Sequence, residues 1–271
     1  MDLNKVLDAV DERLVFEAGR HRYKLDGEYV PGVTTILGSK NKPALEAWKV
    51  RVQQEADIET AWQAMQEWAN FDSHAEFVSK FREAAGKEYE HQKQAREAAD
   101  IGSQVHALAE KHMKDILGIP FEILQPPSEQ AQAIFEKSWL PWEKDAGVVP
   151  LAVERRVYHA EHKYAGTVDL LATVEGRLTC LDWKSKGVAQ VEKLYVEPVL
   201  QSVAYREALG SLTGETWGGL VINMPREGSG SVVAHPITGN DSWTLDDAFT
   251  VFLACKVLYV FDSKFNRKAK K

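Results

Sequence analysis

The sequence predicts an α/β (α+β) protein, a mixed central β-sheet flanked by helices and preceded by an N-terminal helical region. Three observations carry this. Residues 43 to 115 are rich in Ala, Glu, Gln, Lys and Arg, with apolar residues near helical spacing. From residue 150 the texture changes to apolar, alternating runs separated by turn residues. The order helices, then β-β-β-α-β-β, then a helix, fits one mixed sheet.

The chain opens with a short helix and a hairpin. His21-Arg22-Tyr23-Lys24-Leu25 alternates, Asp26-Gly27 is a turn pair, and Glu28-Tyr29-Val30 returns. Pro31-Gly32 breaks the chain before Val33 to Leu37, which reads either as a last strand or as a helix start capped by Thr34. Pro43 suits a first helical turn. Breaks are expected at Asn70-Phe71-Asp72-Ser73 and Ala85-Gly86, with a further helix from Asp100 or Ser103 to Gly118. Trp48, Trp62 and Trp68 recur at helical spacing and are expected to pack a core, with base stacking as the alternative. Ser128 caps a helix through about Trp139. Strands follow at Leu151 to Tyr158, Tyr164 to Val174 and Arg177 to Trp183, then a helix at Glu197 to Leu209. Thr216 to Asn223 and Ser231 to His235 read as strands, and Thr244 to Phe261 as an amphipathic closing helix.

Composition bounds the function. At 271 residues there is room for one large domain or two small ones. Hydrophobic residues make up 44% and charged residues 27%, which argues against wholesale disorder. The net charge of −7 taken alone argues against a nucleic-acid binder. Two cysteines, Cys180 and Cys255, exclude a disulfide framework and any four-cysteine zinc or iron–sulfur site. They fit a reducing cytoplasm. The acidic N-terminal segment does not read as a secretory signal, and no apolar run approaches the ~18 residues of a membrane span. A Walker A loop is absent.

The chemistry lies in the strands. Asp169 interrupts the apolar run Gly166-Thr167-Val168-Asp169-Leu170-Leu171, and Asp182 interrupts Leu181-Asp182-Trp183-Lys184. A lone carboxylate in such a run is costly unless it is paired or binds a cation. A turn at Glu175-Gly176 brings Asp169 opposite Asp182, with Cβ atoms ~5 Å apart. Asp182 and Lys184 share a face, and Trp183 points the other way. Two carboxylates this close repel unless a cation lies between them, and hard oxygen ligands favour magnesium or manganese. Lys184 is then placed to hold a water or stabilise charge on an attacked phosphate. The bland alternative is a surface hairpin with an acidic pair bridged by Lys184. Gln201 and Tyr205 share one face of the next helix. His106 and Glu110 do so upstream, where His106 is either an ordinary helix residue or a further metal ligand. Glu154 is either another carboxylate of the site or a solvated edge residue.

Together these residues resemble the PD-(D/E)XK nuclease superfamily in its RecB-like branch. The matching set is Gly102 with His106, then Gly166-Thr167-Val168-Asp169, then Asp182-Trp183-Lys184, then Gln201 with Tyr205 in the place of a QxxxY motif. The block His21-Arg22-Tyr23 with Val30-Pro31-Gly32-Val33-Thr34-Thr35-Ile36-Leu37 resembles the start of phage-type exonucleases and of the mitochondrial genome maintenance exonuclease. Val168 departs from the proline that the superfamily name implies.

The resemblance implies a restriction-endonuclease-like core at residues 119–263, a basic tail at 264–271, and a region at 1–118 forming part of a DNA channel and contributing His106. It implies Mg2+ or Mn2+ held by His106, Asp169, Asp182 and the backbone carbonyl of Trp183, with Glu154 as a further candidate. Asp169, Asp182, Lys184, Gln201 and Tyr205 would be the catalytic set, and Arg155, Arg156, Lys186 and Tyr205 would contact nucleic acid. The implied activity is a cytoplasmic, metal-dependent DNA exonuclease of phage-type recombination, replication or repair. Its partners would be single-stranded or duplex DNA ends and a single-strand annealing or binding protein. The competing readings are a catalytically inactive nuclease-fold scaffold and a restriction or structure-specific endonuclease. The tail, with Lys264, Arg267, Lys268, Lys270 and Lys271, reads as a solvated disordered segment, with a phosphate-binding arm as the alternative.

Overall fold

The computed structural model describes residues 2–40, 43–66, 73–84, 89–227 and 230–269. The chain divides into two units, Met1–Lys40 with Ile101–Lys271, and Asn41–Asp100. The expected boundary at residue 118 does not coincide with this division, because the N-terminal elements and the second half of the long helix are built into the sheet domain.

That domain opens with α1 (Leu3–Arg13), whose N-cap Asp2 accepts from the Lys5 backbone N–H. A three-stranded antiparallel sheet follows in the order β1 (Leu14–Glu17), β2 (Arg22–Leu25), β3 (Glu28–Val30). The strand β1, absent from the sequence reading, pairs with the predicted hairpin because Leu14 alternates inward to meet Tyr23 and Val30. Val33–Leu37 is a helix, α2, capped by Gly32 and not by Thr34. Pro31 holds the chain against the main sheet, where its carbonyl accepts from Ala165 N–H at 3.0 Å.

The main sheet has five strands among the described residues, in spatial order β4 (Val149–His159), β5 (Tyr164–Val174), β6 (Arg177–Lys186), β7 (Gly218–Pro225), β8 (Val233–Pro236). The pairs β4–β5, β5–β6 and β7–β8 are antiparallel. The β6–β7 pair is parallel, as a crossover through α8 (Val196–Thr213) demands. This is the expected mixed sheet flanked by helices. The β5–β6 register follows the tight turn at Glu175-Gly176, with Val174 opposite Arg177 and Leu170 opposite Leu181.

Each face of the sheet buries a core. On one side α1, α2, α8 and α9 (Leu245–Ala269) pack Leu7, Ile36, Val203 and Phe252 against Val168, Leu171 and Val221. On the other, Val105, Ala109 and Met113 of α5 (Glu90–Ile116) meet Leu170, Leu181, Trp183 and Ile222. The same core takes Ile134 and Trp139 from α6 (Glu129–Ile134) and the π-helical turn Phe135–Trp139, which leads into α7 (Leu140–Asp145). Ser128 caps α6 as expected.

Helix α5 starts at Glu90, ten residues before the earliest expected start at Asp100, since the intervening Gln, Lys, Ala, Arg and Glu all favour helix. The closing helix also runs on through Ala269, so residues 264–269 are helical and not a disordered tail. Lys270 and Lys271 lie outside the described residues, as do Trp68, Asn70, Phe71, Asp72, Ala85 and Gly86.

The second unit contains α3 (Pro43–Gln66) and α4 (His74–Ala84). Val52 is its one buried hydrophobic residue among those described. The expected tryptophan core does not form: Trp62 is 57% exposed and Trp48 half-buried. The apolar positions of α3 are too scattered around the helix to make one buried stripe.

Leu7 is fully buried under α8 and the sheet. Leu7→Ala is expected to cost about 2–5 kcal/mol in denaturant unfolding. Unchanged stability would show that α1 is not part of the core.

Candidate active site

Three adjacent strands place one acidic residue each in the same row. Val153 and Arg155 of β4 pair with Leu170 and Val168 of β5, so Glu154 falls level with Asp169. The β5–β6 pairing ends at Leu170–Leu181, and Asp169 and Asp182 are the next residues on the two strands. The alternation of the sheet changes phase here. On β4, Ala152 and Val157 face the same core although an odd number of steps separates them, and on β5 the same holds for Val168 and Leu171. Glu154 has a left-handed backbone, φ 51°, uncommon for a non-glycine residue and the local cause of the change on β4. The ladder therefore opens at the acidic row. The Trp183 backbone N–H donates to Asp169 Oδ2 at 2.9 Å.

Helix α5 brings His106 to this opening. Its Nε2 lies 3.2 Å from Asp169 Oδ2 and 3.6 Å from Glu154 Oε1, and its ring meets Trp183 edge-on with centroids 5.0 Å apart. Ligand atoms of His106, Glu154 and Asp169 all lie within 4.8 Å of one another. Asp182 turns the other way. Its Oδ1 accepts from Lys184 Nζ at 2.7 Å and Gln201 Nε2 at 3.0 Å, and Gln201 Nε2 also reaches the Tyr205 hydroxyl at 3.2 Å. Tyr205 fits because residue 166 is glycine: a Cβ there would overlap its ring.

The electrostatics follow from crowding acids in a buried place. Burial, then repulsion from Asp169, raises the Glu154 pKa to about 7. Burial, opposed by Lys184 and reinforced by Asp169, raises Asp182 to about 6. Burial works against ionised Asp169 as well, but the hydrogen bond and charge of His106 outweigh it and hold its pKa low. Burial disfavours charge on His106, yet Asp169 and Glu154 overcome this and raise its pKa to about 9. Burial likewise opposes the Lys184 cation, and Asp182 and Asp169 overcompensate. Burial pushes the Tyr205 phenol well above its ordinary range, so it stays protonated.

The donor set fits a divalent cation. It combines an imidazole nitrogen with two carboxylates, and Glu154 Oε1 is buried without a hydrogen-bond partner. A cation here would relieve the repulsion that His106 otherwise answers with its proton.

A model of the PD-(D/E)XK nuclease superfamily matches residues 76–254. The chain belongs to this superfamily. No curated protein matches the sequence significantly. Among solved structures, a protein from Eubacterium rectale described as a putative exonuclease is 14% identical, with TM-score 0.41 over 60% of this chain. That match spans 66% of the other chain, just under two thirds of it. An alkaline exonuclease from Laribacter hongkongensis is 13% identical, with TM-score 0.31 over 64% of this chain and 91% of its own. Its complex with dAMP is 13% identical, with TM-score 0.33 over 64% and 96%.

The acidic cluster opens into a cavity of about 590 Å³ lined by His106, Glu154, Asp169, Asp182, Trp183 and Lys184, with Gln201 and Tyr205. Arg156 also lines it, tied to Asp11 at 2.6 Å. Arg155 instead pairs with Asp8 and Asp11 of α1 and does not line the cavity. Lys186 sits over the Tyr195 ring at 5.0 Å, also away from the lining. Sequence reasoning passed over Asp11, Phe16 and Thr167 as site residues. His21 and Tyr23 stand in the sequence reading in the opening hairpin and the N-terminal block, and Thr34 there and as an alternative helix cap, without a site role. The Gly166-Thr167 pair ahead of Asp169 was a usable signal for Thr167, whereas nothing local marks Asp11 or Phe16.

Two outcomes are expected. Gly166→Ala should destabilise the fold by about 1–3 kcal/mol through displacement of Tyr205, read by thermal unfolding; a neutral result contradicts the packing. Mn2+ affinity, measured by calorimetry, should rise with pH as Glu154 (about 7) and then His106 (about 9) lose their protons to make room for the metal. Affinity that stays flat from acid to alkaline pH contradicts the ligand assignment.

Proposed function

We propose that this protein is a metal-dependent deoxyribonuclease that hydrolyses phosphodiester bonds from DNA ends. One observation carries the reading: His106, Glu154 and Asp169, with donor atoms within 4.8 Å of one another, share a cavity with the Asp182–Lys184–Gln201 network. Mg2+ or Mn2+, held by the trio, would supply Lewis-acid neutralisation of phosphate charge, with Asp182 beside it hydrogen-bonded to Lys184 and Gln201.

The chain's own groups do the rest. Lys184 is a cation fixed by Asp182, so it acts as a hydrogen-bond donor to the attacking water or to a phosphate oxygen gaining charge, and not as a base. Gln201 spends both amide protons on Asp182 and Tyr205, which makes it a positioning residue. Tyr205 keeps its proton and is free to orient a strand. Lys186 is the candidate phosphate contact, whereas the ion pairs of Arg155 and Arg156 with α1 favour a structural task. The likeness of the N-terminal block to phage-type exonucleases supports a place in DNA recombination, replication or repair, with a single-strand annealing or binding protein as partner.

The test is degradation of end-labelled linear DNA and of closed circles with Mg2+ or Mn2+, with and without chelator. Linear DNA should be consumed from its ends, circles spared, and chelator should stop the reaction. Asp182→Asn and Lys184→Ala should each lower the rate at least about a hundredfold while the protein stays folded by circular dichroism, and Gln201→Ala should lower it less. Wild-type cleavage by Asp182→Asn, or cutting of circles as fast as linear DNA, contradicts the reading.

A further inference from the structure

The cavity extends past the acidic row onto the N-terminal sheet, where its wall is aromatic. Phe16 and Tyr23 have ring centroids 4.8 Å apart, and His21 meets Phe16 edge-on at 5.3 Å. Tyr23 is locked in place. Its hydroxyl lies 2.9 Å from Thr167 Oγ1, and a Cβ at Gly32 would approach its ring to 3.0 Å. His21 differs: it is exposed and holds a left-handed backbone, φ 46°. That conformation closes the short turn Ala18–Arg20, where histidine is well tolerated, and the His21 ring meets Phe16.

Position and charge say what this wall suits. Thr167 stands two residues before Asp169 on the same strand, about 7 Å from the acidic row. A single nucleotide unit spans that distance. Among the described residues no unpaired cation stands on the wall. Arg22 and Lys24 flank Tyr23 on β2 and so face away from the cavity, where they share Glu17 at 2.7 Å, and Arg156, which lines the cavity, pairs with Asp11 at 2.6 Å. An aromatic face without free charge is a poor phosphate site and a good platform for a flat, uncharged π-system.

We infer that Phe16, His21 and Tyr23 form a subsite for the unpaired nucleobase adjoining the scissile phosphodiester, which gives the enzyme a preference for single-stranded or frayed ends. This rests on the deoxyribonuclease reading and adds to it a substrate-selecting element. A base laid on this wall has left its stack and its partner, so a duplex end must open before it engages the subsite.

The experiment compares single-stranded oligonucleotides that carry either a normal nucleotide or an abasic tetrahydrofuran residue beside the bond cleaved. Wild type, Phe16→Leu and His21→Asn are assayed; asparagine tolerates the left-handed backbone and removes the ring. The abasic residue should slow wild type about tenfold. Each variant should be slow on the normal substrate, and the abasic residue should slow it little further. Equal abasic penalties in wild type and variants, or variants as fast as wild type, overturn the inference. A binding arm separates this result from the nuclease reading. By calorimetry, wild type should prefer dCMP to deoxyribose 5-phosphate about tenfold, with the preference lost in His21→Asn. Absence of cleavage on any DNA sinks the nuclease reading while the binding arm still decides the subsite: equal affinities for the two ligands in wild type overturn it.

Discussion

Three acidic side chains stand in one row across three neighbouring strands, mostly out of water, and their mutual repulsion is the constraint around which the domain is arranged. Glu154 and Asp182 respond by holding their protons more tightly, and Asp169 stays ionised chiefly because His106 offers it a positive charge at 3.2 Å, helped by Lys184 and the Trp183 N–H. Lys184 supplies the second cation at Asp182. Such a row is destabilising in a protein that only needs to fold. Its persistence in an otherwise apolar sheet makes sense if a divalent ion takes over the countercharge.

The surrounding structure holds this row open. Val105, Ala109 and Met113 anchor the half of α5 that delivers His106, and the buried face of α8 fixes Gln201 and Tyr205. Glu154 keeps a left-handed backbone, and Gly166 gives up its side chain so that Tyr205 can lie against the strand. The N-terminal sheet closes the cavity from the other side through Tyr23 and Thr167. Scaffold and site are therefore one unit: the same close contacts that complete the core also fix the angles of the reacting groups.

Much of this was legible in the sequence because period-two patterning and a tight turn are local. Glu175-Gly176 fixed the β5–β6 register, and alternation put Asp182 and Lys184 on one side with Trp183 on the other. Glu154 was harder to place. A register count aligns it with Asp169 only once the β4–β5 pairing is known, and its left-handed backbone leaves no mark in the sequence. Asp11 and Phe16 reach the cavity through tertiary packing of α1 and β1, which no short-range pattern encodes. The tryptophans of α3 misled because helical spacing alone does not supply a partner surface, and Trp62 remains exposed. Net charge misled in the same way. The overall −7 counts acids of the proposed metal site alongside exposed ones such as Glu55 and Glu59, and says nothing of the local field.

The central claim is that the acidic row is a metal centre, and crystals soaked in Mn2+ at alkaline pH test it most directly. Anomalous diffraction should show a manganese peak bonded to His106 Nε2 and to carboxylate oxygens of Glu154 and Asp169, with Lys184 still paired to Asp182. No peak at that position, or manganese bound only elsewhere on the molecule, would contradict the account.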